Sequence, residues 1–204
     1  MRIVFDFGGV LFRWKPLDFL PRLLPEHAAT PQATRDLARA VFQGFDGDWA
    51  EFDRGVIEAA PLAERIAART SLTVGEARHM IDSIPHELQP LPDSVALLRR
   101  LHDAGCELYF LSNMPELYAR HLEASHGFLK LFRQGIYSSR VKLIKPDPAI
   151  FEHARASFGV SAALLVFIDD LAKNVDVARA AGWQAIQFRD AGQCEAELRG
   201  MGLI

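Results

Sequence analysis

Asp6 closes the apolar run that opens the chain, and Phe7, Gly8 and Gly9 follow at once. A carboxylate at a strand end, next to glycines that let backbone approach a ligand closely, has the chemistry of a nucleophile or a metal ligand. Read alone, Asp6 serves equally well as a polar turn cap. Ser112-Asn113 offers a hydroxyl and backbone N–H groups suited to an anionic oxygen, and the same pair also makes an ordinary turn or helix cap. Lys145-Pro146-Asp147-Pro148 opens a helix with a cation that can serve a phosphate or carboxylate, or simply sit in solvent. Asp169-Asp170 ends the most hydrophobic run, with Asn174 one turn on. Two carboxylates desolvated together repel each other, and a bound cation relieves them; oxygen-only donors in this number suit Mg²⁺. The other reading of this pair is an N-capping Asp beside a solvated one.

The elements that must hold these groups follow from hydrophobic patterning. Residues 107–111 (ELYFL), 135–137 (GIY), 164–168 (LLVFI) and 184–188 (QAIQF) resemble the first strand. Helical periodicity fills 94–102, 148–158 and 171–181. Strands alternating with helices predict an α/β fold with a mostly parallel sheet, whose ligands bind at the carboxyl ends of the strands. Residues 14–90 break the rhythm: helical patterns over 34–42, 56–69 and 74–84, and no convincing strand. This stretch predicts a helical lid or cap. Phe42, Phe45, Trp49, Phe52 and Trp14 are candidates to line its pocket, although aromatics at such spacing also make a cap core.

Composition narrows the class. The 204 residues suffice for one core domain plus an insertion. A net charge of −3 gives no reason to expect nucleic acid. Cys106 and Cys194 lie far apart, outside any ligand-spaced cluster, which fits a reducing compartment. No apolar stretch reaches the ~20 residues that span a bilayer, and the first strand is not a signal peptide. A soluble cytoplasmic protein is expected.

Taken in order, FDFGGVL at Asp6, LSN at Ser112, KPDPAIF at Lys145 and FIDD at Asp169-Asp170 resemble the haloacid dehalogenase-like (HAD) hydrolase superfamily over nearly the whole chain. The first motif is most similar to the DxGG/DxGN subgroup, which includes sugar-phosphate phosphatases of the α-glucose-1-phosphate phosphatase kind. The resemblance implies a three-layer Rossmann-like core (residues 1–13 and 91–204) with a small C1-type helical cap (14–90). It further implies a Mg²⁺-dependent phosphatase acting on a small phosphorylated metabolite, with a sugar phosphate as the candidate, through an aspartyl-phosphate. Asp6 would be the nucleophile, and Ser112 and Asn113 would bind phosphoryl oxygens. Lys145 would neutralise charge. Asp170, assisted by Asp169, would hold the metal with the Asp6 carboxylate and the Gly8 carbonyl. No nucleic acid or membrane partner is expected, and the chain would act as a monomer or homodimer.

Two positions depart from the family pattern. Gly8 stands where most phosphatases of the superfamily carry an Asp that protonates the leaving oxygen, help worth typically 10²–10⁴-fold. His86, Glu87 and Asp53 are the candidates to stand in for it. Lys142 stands where many relatives have Gly. The alternatives are a metal-independent 2-haloacid dehalogenase, against which Asp169-Asp170 argues, and a catalytically weak binding or regulatory protein on the same scaffold.

Overall fold

The computed structural model describes residues 2–44 and 46–204. Five strands form one all-parallel sheet: β1 (Arg2–Phe5), β2 (Glu107–Ser112), β3 (Gln134–Tyr137), β4 (Leu165–Asp169) and β5 (Gln184–Gln187), in the order β3-β2-β1-β4-β5. β1 is the central strand, and its Ile3, Val4 and Phe5 are wholly buried. That explains its continuous apolar run, since a parallel strand covered on both faces has no polar side.

Successive residues feed two cores. Ile3, Phe5, Leu108, Phe110, Val166 and Ile168 pack on one face; Val4, Tyr109, Leu111, Leu165 and Phe167 pack on the other. The first face is covered by α6 (Pro92–Asp103), α7 (Glu116–Ser125) and α11 (Ala191–Gly200), and the second by α9 (Pro148–Phe158) and α10 (Ala172–Ala180). A short helix, α8 (Ser138–Val141), follows β3.

Between β1 and β2 lie α1 (Pro16–Leu23), α2 (Pro31–Phe42), α3 (Asp48–Asp53), α4 (Ala59–Arg69) and α5 (Val74–Glu87). No strand interrupts them among the described residues. Their starts are set by local chemistry. Thr30 caps α2 through its hydroxyl, with Pro31 in the first turn, and Thr73 and Glu76 form a reciprocal capping box on α5. α2 therefore begins before the expected residue 34, and α5 continues to Glu87. Phe45 lies outside the described residues. No described helix is long and apolar enough to cross a membrane.

The register positions the chemistry. Phe5 pairs with Phe110 on one side and Ile168 on the other, so the next residue, Asp6, emerges between the ends of β2 and β4. Ser112 is the last residue of β2 and Asp169 the last of β4.

Candidate active site

Asp6 is 7% exposed and accepts an ion pair from Lys145 Nζ at 2.7 Å. The same Nζ lies 2.7 Å from an oxygen of Asp169, which is wholly buried. One ammonium thus bridges two carboxylates. Burial pushes the Asp6 carboxyl up to about 7; Lys145 pulls it down, and Asp169 and Asp170 push it further up. Burial also disfavours the charged Lys145 ammonium, but Asp169 and Asp6 outweigh it and hold its pKa above the ordinary value.

The two adjacent aspartates have different surroundings. Asp169 accepts hydrogen bonds from the Leu171 N–H at 2.9 Å, from the Asn174 amide at 3.0 Å on each oxygen, and from Lys145. Asp170 is pushed up to about 6, by burial first and then by Asp169. One oxygen from each of Asp6, Asp169 and Asp170 lies within 4.8 Å of the others. Hard oxygen donors that repel one another in a buried place fit a divalent cation such as Mg²⁺. Asp169 already spends its oxygens on protein donors, so Asp6 and Asp170 are the pair with capacity to spare.

The other expected residues separate into distinct roles. Ser112 Oγ is buried at the end of β2 with no hydrogen-bond partner among the described residues. The Asn113 side chain is engaged: its amide donates to the Lys145 carbonyl at 2.8 Å, and its oxygen accepts from the Lys145 N–H at 2.8 Å. Asn113 thereby clamps the loop that delivers Lys145. Lys142 adopts a left-handed backbone (φ +61°), the conformation that favours glycine. Its Nζ donates to the Gly55 carbonyl just beyond α3, so the side chain a glycine would lack ties this loop to the helical insertion.

Gly9 is required as glycine. It has φ +74°, and a Cβ there would fall 2.4 Å from Asp170 Oδ2. Gly9→Ala is expected to lower stability by about 2 kcal/mol or more, read as a drop in the thermal midpoint, from left-handed strain and displacement of the carboxylate. Gly8→Ala, whose Cβ would only touch Trp14 at 3.7 Å, is the control expected to cost much less.

Some of these groups, though not Ser112 or Asp169, line a cavity of about 270 Å³. Asp6, Gly8, Asn113, Lys145, Asp170 and Asn174 form its floor at the sheet end. Of the expected aromatics, Trp14, Phe42 and Trp49 line it, while Phe52 packs edge-on between Trp49 and Tyr118 at 5.7 Å from each. Asp53, at the end of α3, lines it as well. Burial pushes the Asp53 carboxyl up to about 8, with Lys145 pulling it down and Asp6 pushing it up. His86 and Glu87 do not border the cavity: His86 meets the His121 ring at 4.8 Å and Glu87 pairs with Arg22.

Sequence reasoning missed Ser138, Met114 and Tyr118. Ser138 Oγ donates to the Asp53 carbonyl and accepts from the Met114 N–H, joining the loop after β2, α8 and α3 in one relay. No motif signals this, because the partners are far apart in sequence.

The model of the haloacid dehalogenase-like hydrolase family matches residues 1–182. A sesquiterpene phosphatase, astK, of Aspergillus oryzae is 29% identical over 197 residues, covering 96% of this chain and 93% of its own. A phosphoglycolate phosphatase of Vibrio cholerae is 26% identical over 189 residues, covering 88% of this chain and 80% of its own. A HAD-family enzyme of Bacteroides thetaiotaomicron, solved in complex with magnesium and inorganic phosphate, superposes with a TM-score of 0.72 at 20% identity, over 92% of this chain and 93% of that one. That likeness is one of fold. The match to the family model over most of its length, on a parallel sheet with four acidic and basic groups gathered at its carboxyl edge, means that this chain belongs to the haloacid dehalogenase-like hydrolase family.

Proposed function

We propose that this protein is a Mg²⁺-dependent phosphatase that removes phosphate from a small phosphorylated metabolite through an aspartyl-phosphate on Asp6. The observation that carries this reading is the Lys145 ammonium held 2.7 Å from both Asp6 and Asp169, with Asp170 beside them at the sheet edge. Relatives named as phosphatases support it. Residues 14–90 act as the cap, over a core of 1–13 and 91–204.

The chemistry divides among the chain's own residues. An Asp6 oxygen attacks phosphorus while the bond from phosphorus to the leaving oxygen breaks. Lys145 offsets the charge of a carboxylate meeting a phosphate. The Ser112 hydroxyl and the Asn113 backbone N–H hold phosphoryl oxygens. Asp53, protonated below about pH 8, gives its proton to the leaving oxygen. Water then attacks the acyl-phosphate phosphorus and returns a proton to Asp53, which frees inorganic phosphate and the Asp6 carboxylate. Mg²⁺, when bound, supplies charge neutralisation; Asp6, Asp170 and the Gly8 carbonyl would hold it, while Asp169 assists chiefly by fixing Lys145.

Chelation by EDTA is expected to lower phosphate release at least 100-fold, and excess Mg²⁺ to restore it. Independently of turnover, Mg²⁺ should raise the thermal midpoint, and more at pH 8 than at pH 6. The cation must displace protons from Asp6 and Asp170, whose pKa values are pushed up to about 7 and about 6. Asp170→Asn should abolish that shift. Release of phosphate that survives EDTA, or chloride release from a 2-chloroacid, would favour the dehalogenase branch.

Asp53→Asn is expected to slow the phosphorylation of Asp6, read in a single turnover, about 100-fold for an alkyl phosphate and much less for an acyl phosphate, whose leaving group needs no proton. The alkaline fall in wild-type activity near pH 8 should disappear with it. Lys145, Asp6 and Tyr118 are the titratable groups around Asp53. An unchanged pH profile in Asp53→Asn would assign the proton to another donor.

A further inference from the structure

Apart from its polar floor, the cavity is lined mostly by hydrocarbon. Trp14, Phe42 and Trp49 form its aromatic side, with Phe42 4.6 Å from Trp49 and 5.4 Å from Trp14, centroid to centroid. Leu88, Met114 and Tyr118 continue it from three other segments. Tyr118 adds no polar group, because its hydroxyl donates to the Ile81 carbonyl at 2.9 Å.

Most polar side chains at the cavity floor are engaged, while Asp6 and Asp170 keep capacity for a cation and the Asn174 Oδ1 has no partner among the described residues. The Asn113 amide is closed on the Lys145 backbone, the Asn174 amide on Asp169, and the Lys145 ammonium on Asp6 and Asp169. Beyond them, the wall carries the Asp53 carboxyl, which serves one leaving oxygen, and the indole N–H groups of Trp14 and Trp49. A ring carrying several hydroxyls would lose water on entering and find few partners to replace it, which is costly for each unpaired hydroxyl. An apolar group would be favoured by the same wall.

We infer that the leaving group is an apolar alcohol, so that the substrate is the phosphate monoester of a hydrocarbon chain or ring and not a sugar phosphate. This inference rests on the phosphatase reading above and specifies the part of the substrate that reading leaves open. α3 is the selecting element. Its Trp49 and Asp53 lie one turn apart, which presents an apolar contact and a proton donor to the same end of the ester. The Ser138 hydroxyl on the Asp53 carbonyl and the Lys142 ammonium on the Gly55 carbonyl hold this helix end against the core.

The test is phosphate release by wild-type protein with Mg²⁺ from octyl phosphate, glucose 1-phosphate and acetyl phosphate. The expected result is a kcat/KM for octyl phosphate about 100-fold above that for glucose 1-phosphate. In Trp49→Ala, and more mildly in Phe42→Leu, the ratio of octyl phosphate to acetyl phosphate kcat/KM should fall about tenfold or more, chiefly through KM. Acetyl phosphate, which has no hydrocarbon tail to place, reports the folding and chemistry of each variant. Glucose 1-phosphate turned over as well as octyl phosphate, or an unchanged octyl-to-acetyl ratio in both variants, would overturn the apolar assignment while leaving a phosphatase. Release from none of the three would overturn the phosphatase reading itself, and this inference with it.

Discussion

Asp6→Asn is expected to abolish phosphate release, by about 10⁴-fold or more, while the protein stays folded. The amide is nearly isosteric with the carboxylate but cannot form an acyl-phosphate, and removing a nucleophile from a group of residues that act as a unit removes most of what the unit does. Stability should move the other way. The folded-state pKa of Asp6 is pushed up to about 7 from 3.8, so between those values the native state holds a proton that the unfolded chain has lost. The contribution of Asp6 to stability therefore falls as pH rises through that window, and above it the native state carries a buried carboxylate. Asn does not titrate. Metal-free Asp6→Asn should be at least as stable as the wild type at pH 8, with the advantage shrinking toward pH 4. Urea unfolding at the two pH values, beside a phosphate-release assay, separates lost chemistry from lost structure. Activity retained in a verified Asp6→Asn protein would dismiss Asp6 as the nucleophile.

Lys145→Met is expected to be inactive and also unstable. The ammonium is 1% exposed and lies between two carboxylates, one of them wholly buried. Methionine fills much of the same volume but leaves Asp6, Asp169 and Asp170 facing one another. Breaking a buried charge cluster on one side typically costs about 3–5 kcal/mol. Lys145 has a pKa held above its usual value, so its own contribution is complete at both pH 5 and pH 8 and would be lost only at strongly alkaline pH. The deficit in the variant should nonetheless shrink at pH 5, because Asp6 loses the group that pulls its pKa down and takes up a proton there. Mg²⁺ should recover part of the loss, since it supplies positive charge to the same carboxylates. A Lys145→Met protein as stable as the wild type at pH 8 would show that the bridging ammonium is not needed for charge balance.

The strands and the groups at their ends were legible because each is a local pattern: an apolar run, then a polar stop. Asp6, Ser112 and Asp169 could be placed at strand ends without knowing which strands are neighbours. Helices with a clear apolar period, such as α6, α9 and α10, were legible for the same reason. α1 contains Pro21 and α3 has only six residues, so neither presents a long period, and both were passed over. α7 and α11 were missed although each buries a stripe, Tyr118 and Leu122 in one and Cys194 and Leu198 in the other. Asn113 reads in sequence as one of a pair whose hydroxyl and backbone N–H groups suit an anion; that its side chain is closed on the backbone of Lys145 is a long-range pairing that no local pattern signals. Lys142, a departure from the glycine common there, keeps the left-handed backbone at that position and gains a contact with Gly55.

By itself the sequence determined the kind of chemistry on offer: a carboxylate, a hydroxyl, a lysine and an aspartate pair, each at the mouth of a parallel sheet. Burial and periodicity are read from neighbours along the chain, so they survive without the fold. The tertiary structure alone decided how those groups are shared. The strand order β2-β1-β4 sets Asp6 between Ser112 and Asp169, and the loop before α9 drops Lys145 onto both carboxylates. Packing of the helical insertion selected Asp53 over His86 and Glu87 as the group that borders the cavity, and surrounded it with Trp14, Phe42 and Trp49. Such pairings join residues far apart in sequence. They are settled by the free energy of the whole packed chain, to which no short segment is a guide.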